Sequence, residues 1–237
     1  MKKIFSFLLL CLSCSALYWA AMCWAEPGKL DFPVDEKKML EGELQIFERS
    51  IERGGGKKKK HIAGVILINA SPEEVWNVLN DWESMDEFVP DLEYYKVISE
   101  SRQYERDGIG QVFIEGKLNI PLFDFIYNLD VVSDKSCFLQ KWRLMTPEEV
   151  EIIRLVGFDI RKSTDGIDEI TGYGLVQPAD NGQKSIYTYS TVIEFSMPLP
   201  EFVENYICRN ALTGFIEGVK KRVESHGLYI KNSSSLF

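Results

Sequence analysis

Glu194 is the carboxylate whose neighbours most suggest chemistry, because it stands mid-run among Val192, Ile193 and Phe195. A carboxyl group buried in such company keeps its proton to higher pH and can act as a general base. Asp124 and Asp130 also fall on strand-like runs, where surface solvation is the plainer reading. Arg143, Arg154 and Arg161 are cations that can hold a ligand head group or pair with an acid, since a guanidinium presents a planar fork to an oxyanion.

Assembled catalytic signatures are missing from the sequence. No Gly-x-Ser-x-Gly elbow supports acyl transfer. No His-Glu-x-x-His or Cys-x-x-Cys offers zinc a seat, and His61 and His226 are too few and too scattered for a histidine-based metal site. Gly54-Gly55-Gly56-Lys57 lacks the hydroxyl residue and the strand–loop–helix setting of a phosphate loop. The reading therefore assigns no catalytic residue, no metal and no cofactor. Cys137 and Cys208 remain as thiols that an oxidising compartment can join in a disulfide; two unbonded thiols is the alternative, and the sequence does not choose between them.

The compartment is read from the N-terminus. Lys2 and Lys3 precede an uncharged run from Ile4 to Ala25, and Cys23-Trp24-Ala25 places small residues at the −3 and −1 positions before Glu26. That order describes a cleaved signal peptide over residues 1–25, hence a periplasmic or secreted protein; an uncleaved inner-membrane anchor is the rival reading. Removing the segment takes two lysines and leaves 25 basic against 36 acidic residues, a balance of −11 over 212 residues. Such an acidic surface excludes nucleic acid, whose phosphates require a basic face, and suits a soluble monomer.

The elements that position these groups follow from pattern. Residues 26–42 read as a lead-in. A strand carrying Leu44, Ile46 and Ile51, a glycine–lysine turn, and a strand from His61 to Asn69 form a hairpin. Ser71-Pro72-Glu73-Glu74 opens a helix: serine caps it, proline fits its first position, and the acids meet the positive end of its dipole. A second short helix spans Ser84 to Val89. Strands follow around Tyr94–Ser99, Gln111–Ile120, Phe123–Val131, Phe138–Met145, Gly166–Gln177 and Ser185–Met197, with Glu148–Ile153 a helical turn or irregular loop. Glu201 to Ser225 is one long helix whose apolar stripe includes Phe202, Tyr206, Cys208 and Leu212. Residues 228–237 read as a flexible tail. Clustered strands with few helices predict an α+β fold.

The stretch from Gly64 to Glu83, with its Ala70-Ser71-Pro72-Glu73-Glu74-Val75-Trp76 step from strand into helix, resembles the opening of the START-like (SRPBCC, helix-grip) superfamily. Met85–Leu92 resembles the second helix and the proline-bearing turn that follows it there. The resemblance covers roughly residues 60–226, and the domain is set at 43–227. It implies a curved antiparallel sheet wrapped around a long C-terminal helix, with an elongated cavity between them. The inward strand positions then include Phe125, Tyr127, Gly172, Gly174, Tyr187, Tyr189 and Thr191, the glycines leaving room for a ligand or a helix to approach. The resemblance places ligand admission near Phe88, Val89, Leu199, Phe202 and Val203, residues that can also touch a membrane. Phe88, Val89, Phe125, Tyr127, Trp142, Tyr187, Tyr189, Phe202 and Tyr206 are the expected cavity set. The function implied is an exported carrier of a lipid or other hydrophobic small molecule. A cyclase or dehydratase acting on a polyketide-like substrate and a ligand-free envelope interaction module are the alternatives.

Overall fold

The computed structural model describes residues 32–52, 58–101, 108–120, 123–195 and 201–231. The expected signal peptide, the Gly54–Lys57 turn and Leu199 lie outside the described residues. From Val34 onward the chain forms a single contact unit.

Eight strands build one antiparallel sheet: β1 (Gln45–Glu52), β2 (Lys58–Ile68), β3 (Leu92–Ser101), β4 (Ile109–Ile120), β5 (Phe123–Asp134), β6 (Leu139–Leu144), β7 (Ile167–Ala179) and β8 (Lys184–Phe195). Their spatial order is β1-β2-β8-β7-β6-β5-β4-β3. A short helix, α1 (Glu36–Leu40), precedes β1, with the Asp35 side chain accepting from the Lys37 and Lys38 amides as its N-cap. After β2 the chain crosses to the opposite edge of the sheet through α2 (Pro72–Leu79), a 3₁₀ turn (Trp82–Ser84) and α3 (Met85–Phe88). It then returns strand by strand until β8 pairs with β2, Ile62 opposite Thr191 and Ile66 opposite Tyr187. The start of α2 is a reciprocal capping box: Ser71 Oγ accepts from the Glu74 amide, and the Glu74 carboxylate accepts from the Ser71 amide.

The C-terminal helix lies on one face of this sheet. It comprises α5 (Glu201–Asn205), a π-helical turn (Tyr206–Asn210) and α6 (Ala211–Glu224). Strand alternation sends Ile62, Ile66, Ile114, Leu129, Val131 and Tyr187 toward it, where they join Leu212, Ile216, Val219 and Val223 in the main core. Gly64 sets the closeness of this contact, because a Cβ there would stand 2.3 Å from Ile216 Cδ1. The expected α+β helix-grip architecture is the one observed.

The outer face carries its own cover. The segment expected to be a helical turn or irregular loop is a full helix, α4 (Pro147–Leu155), started by a second capping box between Thr146 and Glu149. Its Val150 and Ile153 pack with Ile98, Met145 and Ile160 in a small separate core. Beneath it lie carboxylates that the outward strand positions would otherwise give to solvent. Asp130, 4 % exposed, accepts from Gln111 at 2.7 Å and from Arg143 at 2.8 Å, and Arg143 forks onto Glu149 at 2.7 Å on each side. Glu115, 2 % exposed, accepts from the Arg161 amide and side chain and from Tyr94 Oη. The solvated setting expected for Asp130 is thus corrected: α4 buries it with a paired guanidinium.

The segment 228–237 is described up to Lys231. Its first residues are held against the fold: the Lys231 amide donates to the Glu87 carbonyl at 2.7 Å, and Arg222 donates to the Tyr229 carbonyl at 2.9 Å. Among the described residues, no helix is long and apolar enough to cross a membrane.

Candidate functional site

Between the sheet and the C-terminal helix lies a partly enclosed cavity of about 130 Å³. Its floor is the inner face of β5, β6 and β8, with Phe125, Tyr127, Trp142, Tyr187 and Tyr189 prominent. The roof comes from the C-terminal helix, where the π-helical turn contributes Ile207 and Cys208 and the next turn adds Leu212 and Phe215. Such π turns recur at functional sites in helices. Val89, Pro90 and Leu92, on the link from α3 to β3, close one side.

The walls are aromatic rings in contact. Trp142 and Tyr189 lie 4.7 Å apart by centroid, and Tyr189 and Phe215 5.5 Å apart. On the other side Trp82, Tyr95, Tyr127 and Phe125 follow one another at centroid spacings of 6.1, 6.2 and 5.7 Å. Edge-to-face and offset pairs of this kind add to the stabilisation that burial provides. Strand glycines seat these rings. A Cβ on Gly172 would meet Trp142 at 2.7 Å, one on Gly174 would meet Tyr187 Oη at 3.2 Å, and one on Gly116 would meet Tyr95 and Tyr127 at 2.7 Å. The room that Gly172 and Gly174 were expected to leave for a ligand is therefore filled by the protein's own rings.

Of the residues expected here, Val89, Phe125, Tyr127, Trp142, Tyr187 and Tyr189 come together on the lining, as does Thr191. Three do not. Phe88 is fully buried against α6, with the Arg222 guanidinium 5.4 Å above its ring and its carbonyl packed at Gly218. Phe202 is 54 % exposed, because its neighbour Val203 takes the inward position and adjacent helical residues cannot share a face. Tyr206 turns its hydroxyl to Asp91 and lies off the lining. Tyr95 and Gln140 were not in the expected set and do line the cavity, as does Trp82, whose helical spacing from Trp76 suggested core packing.

The candidate acid–base groups are elsewhere. Ile193 and Phe195 point to the core, so Glu194 points out, where it meets Lys59 at 2.8 Å. Arg143 and Arg161 serve the carboxylates under α4, and Arg154 pairs with Glu151 on the surface. No Asp, Glu, Lys, Arg or His of the described residues lines the cavity. Its ionisable groups are phenols and one thiol, all held neutral: burial raises Tyr95, Tyr127, Tyr187 and Tyr189, and pushes the Cys208 thiol up to about 12. Cys137 is exposed on the turn after β5 and Cys208 is buried in the π-helical turn; the two are not bonded to each other, the second of the two alternatives the sequence left open. Among the described residues no group of three or more His, Cys, Asp or Glu side chains is arranged to hold a metal ion.

A family model described as polyketide cyclase / dehydrase and lipid transport matches residues 68–220, and the chain belongs to that family. Several solved structures share the fold at low identity. An aromatase/cyclase from a Streptomyces species superposes with a TM-score of 0.56 at 9 % identity, covering 71 % of this chain and 95 % of that one. A START superfamily protein from Mycobacterium smegmatis gives 0.52 at 11 % identity, covering 70 % and 98 %. A STAR-related lipid transfer protein from Xanthomonas axonopodis gives 0.51 at 13 % identity, covering 74 % and 98 %. No curated protein matches the sequence. The START-like assignment drawn from the strand-to-helix motif therefore stands, and with it a family whose description spans both polyketide cyclisation and lipid transport.

Proposed function

We propose that this protein is an exported binding protein that sequesters or carries a hydrophobic small molecule in the cavity beneath its C-terminal helix. One observation carries the reading: the lining is apolar and aromatic with neutral hydroxyls, and the charged groups suited to acid–base work lie on the opposite face of the sheet. Apolar walls with a few placed polar groups are the usual make-up of a small-molecule site. Removing apolar ligand surface from water contributes roughly 25 cal/mol per Å² before the costs of association. The cavity of about 130 Å³ is smaller than the roughly 300–1,000 Å³ of drug-sized sites, so a larger guest requires the Val89–Leu92 side to move. Export rests on the order of charge, apolar run and small residues over residues 1–25. The exposed side chain of Phe202 on α5 supports a transient membrane contact during exchange.

Native mass spectrometry of protein taken from its own periplasm without detergent tests the reading. The expected result is a chain beginning at Glu26 that carries a small apolar mass. A chain that is always empty, and stays empty when offered apolar ligands, overturns it.

A further inference from the structure

Tyr95, Tyr127, Tyr187 and Tyr189 face the cavity. One hydrogen bond joins two of them, Tyr127 Oη to Tyr95 Oη at 3.0 Å. Whichever way that bond runs, one proton of the pair has no protein acceptor among the described residues. Tyr187 is 1 % exposed, and neither its hydroxyl nor that of Tyr189 has a hydrogen-bond partner among the described residues. A hydroxyl that faces an apolar cavity without a protein acceptor has a hydrogen bond to offer a guest. Of the other polar groups of the lining, Thr191 Oγ1 donates to the Thr171 carbonyl and Gln140 Nε2 donates to the Leu79 carbonyl and to Asn80 Oδ1, while the indole N–H groups of Trp82 and Trp142 can only donate. The spare hydrogen-bonding capacity is therefore of donor type, phenolic O–H with indole N–H beside it.

Charge decides the rest. Lys60 is a cation close to Cys208, but it is committed to Glu48 at 3.0 Å and Glu204 at 2.8 Å. A carboxylate or phosphate entering the cavity would lose its hydration and gain no counter-charge, which is far costlier than burying a neutral carbonyl. Because burial raises all four phenols, they remain donors across the physiological range.

We propose that the cavity selects a compact, uncharged, ring-bearing molecule with carbonyl-type hydrogen-bond acceptors, and rejects the same skeleton bearing a carboxylate or phosphate. This rests on the binding function proposed above. The Trp142–Tyr189–Phe215 series supplies the faces against which such a ring stacks.

Three matched probes test it by calorimetry near neutral pH: 2-ethylnaphthalene, 2-acetylnaphthalene and 2-naphthoate. The ketone is expected to bind about 3–10-fold tighter than the hydrocarbon, as one or two recovered hydrogen bonds allow. The carboxylate is expected to bind at least about 10-fold more weakly than the ketone. Tyr187→Phe combined with Tyr189→Phe should bring the ketone-to-hydrocarbon ratio toward one. Tyr189→Phe alone, which should lower that ratio part way, replaces the pair if the double variant does not fold. A ketone no better than the hydrocarbon, a ratio unmoved by the substitutions, or a carboxylate that binds best overturns the ligand class and leaves the binding function standing. Failure of all three probes to bind folded protein overturns both.

Discussion

The Lys231 ammonium donates to the backbone carbonyl of Leu92 at 2.6 Å and to that of Val89 at 2.9 Å. Both acceptors belong to the side of the cavity formed by the α3–β3 link. The strap that delivers Lys231 is held by polar contacts and by Tyr229, which packs on the main core, while its Leu228 and Ile230 side chains are exposed. Lys231→Met should therefore loosen the link, with a stability loss of about 1–2 kcal/mol, in keeping with hydrogen bonds from a partly buried charged donor. Hydrogen exchange at the amides of Val89, Asp91 and Leu92 checks it: faster exchange there, with little change in the β5–β8 strands, is the expected outcome. A bound guest should also leave faster.

The same link is pressed against the C-terminal helix through two glycines of unequal tolerance. A Cβ on Gly218 would stand 2.6 Å from the Phe88 carbonyl oxygen, whereas one on Gly214 would stand 3.3 Å from the Pro90 ring. Alanine gains about 1 kcal/mol of helix propensity over glycine at either site. At Gly218 the obstacle is backbone, and overpacking of that kind costs about 1–3 kcal/mol. Gly218→Ala should thus be net destabilising while Gly214→Ala is close to neutral. Urea unfolding of the two variants side by side distinguishes them.

How much of this was legible in the sequence depends on local signals. The Ser71-Pro72-Glu73-Glu74 step announced α2 because cap, proline and acids act within one turn. Thr146-Pro147-Glu148-Glu149 is the same signal, and α4 was open to the same argument, although only a helical turn or irregular loop was expected over Glu148–Ile153. Alternation placed Phe125, Tyr127, Tyr187 and Tyr189 on the inner face correctly, since β5 and β8 pair without interruption through those residues. Tyr95 escaped because β3 has register breaks between Leu92 and Tyr94 and between Val97 and Ser99, and each break reverses the face that simple counting assigns. The burial of Asp130 and Glu115 was not legible at all, because the helix and loop that cover them arrive from a distant part of the chain.

A charged latch fastens the π-helical region to the sheet edge. Glu48 on β1 accepts from Lys60 at 3.0 Å and from Arg209 at 3.0 Å, while Lys60 also reaches Glu204 on α5 at 2.8 Å. The Lys60 hydrogen bond is the main reason that the Glu48 carboxyl lies below its ordinary value of 4.5. A carboxyl lowered by folding contributes stability that is complete above 4.5 and is lost as pH falls from there through the lowered value. Lys60 is desolvated, which by itself would lower it, yet its hydrogen bonds to Glu204 and Glu48 outweigh this and raise it above 10.5. Its contribution is therefore complete below 10.5 and is lost at higher pH. Glu48→Gln should cost about 1–2 kcal/mol near neutrality, the range for a hydrogen-bonded charged pair that keeps some solvent contact. The gap between the two proteins should narrow as the pH is lowered past 4.5. Denaturant unfolding at a series of pH values measures it.

Glu194 separates the carrier from an enzyme that would use it as a base. Its strand neighbours Ile193 and Phe195 point into the core, so its carboxylate is on the far side of the sheet from the cavity, beside its register partner Lys59. A proton at a bound guest would have to cross the sheet to reach it. Glu194→Gln should accordingly leave the retained mass in native spectra and the affinity for 2-acetylnaphthalene unchanged. It should cost about 1–2 kcal/mol of stability, the range for a hydrogen-bonded charged pair, with Glu169 left as a partner for Lys59. Tyr189→Phe, on the opposite face of the same strand, should weaken the ketone and spare the fold. The reverse pattern, with Glu194 essential and Tyr189 silent, would place the working face of the protein on the outer side of the sheet and remove the basis for the carrier reading.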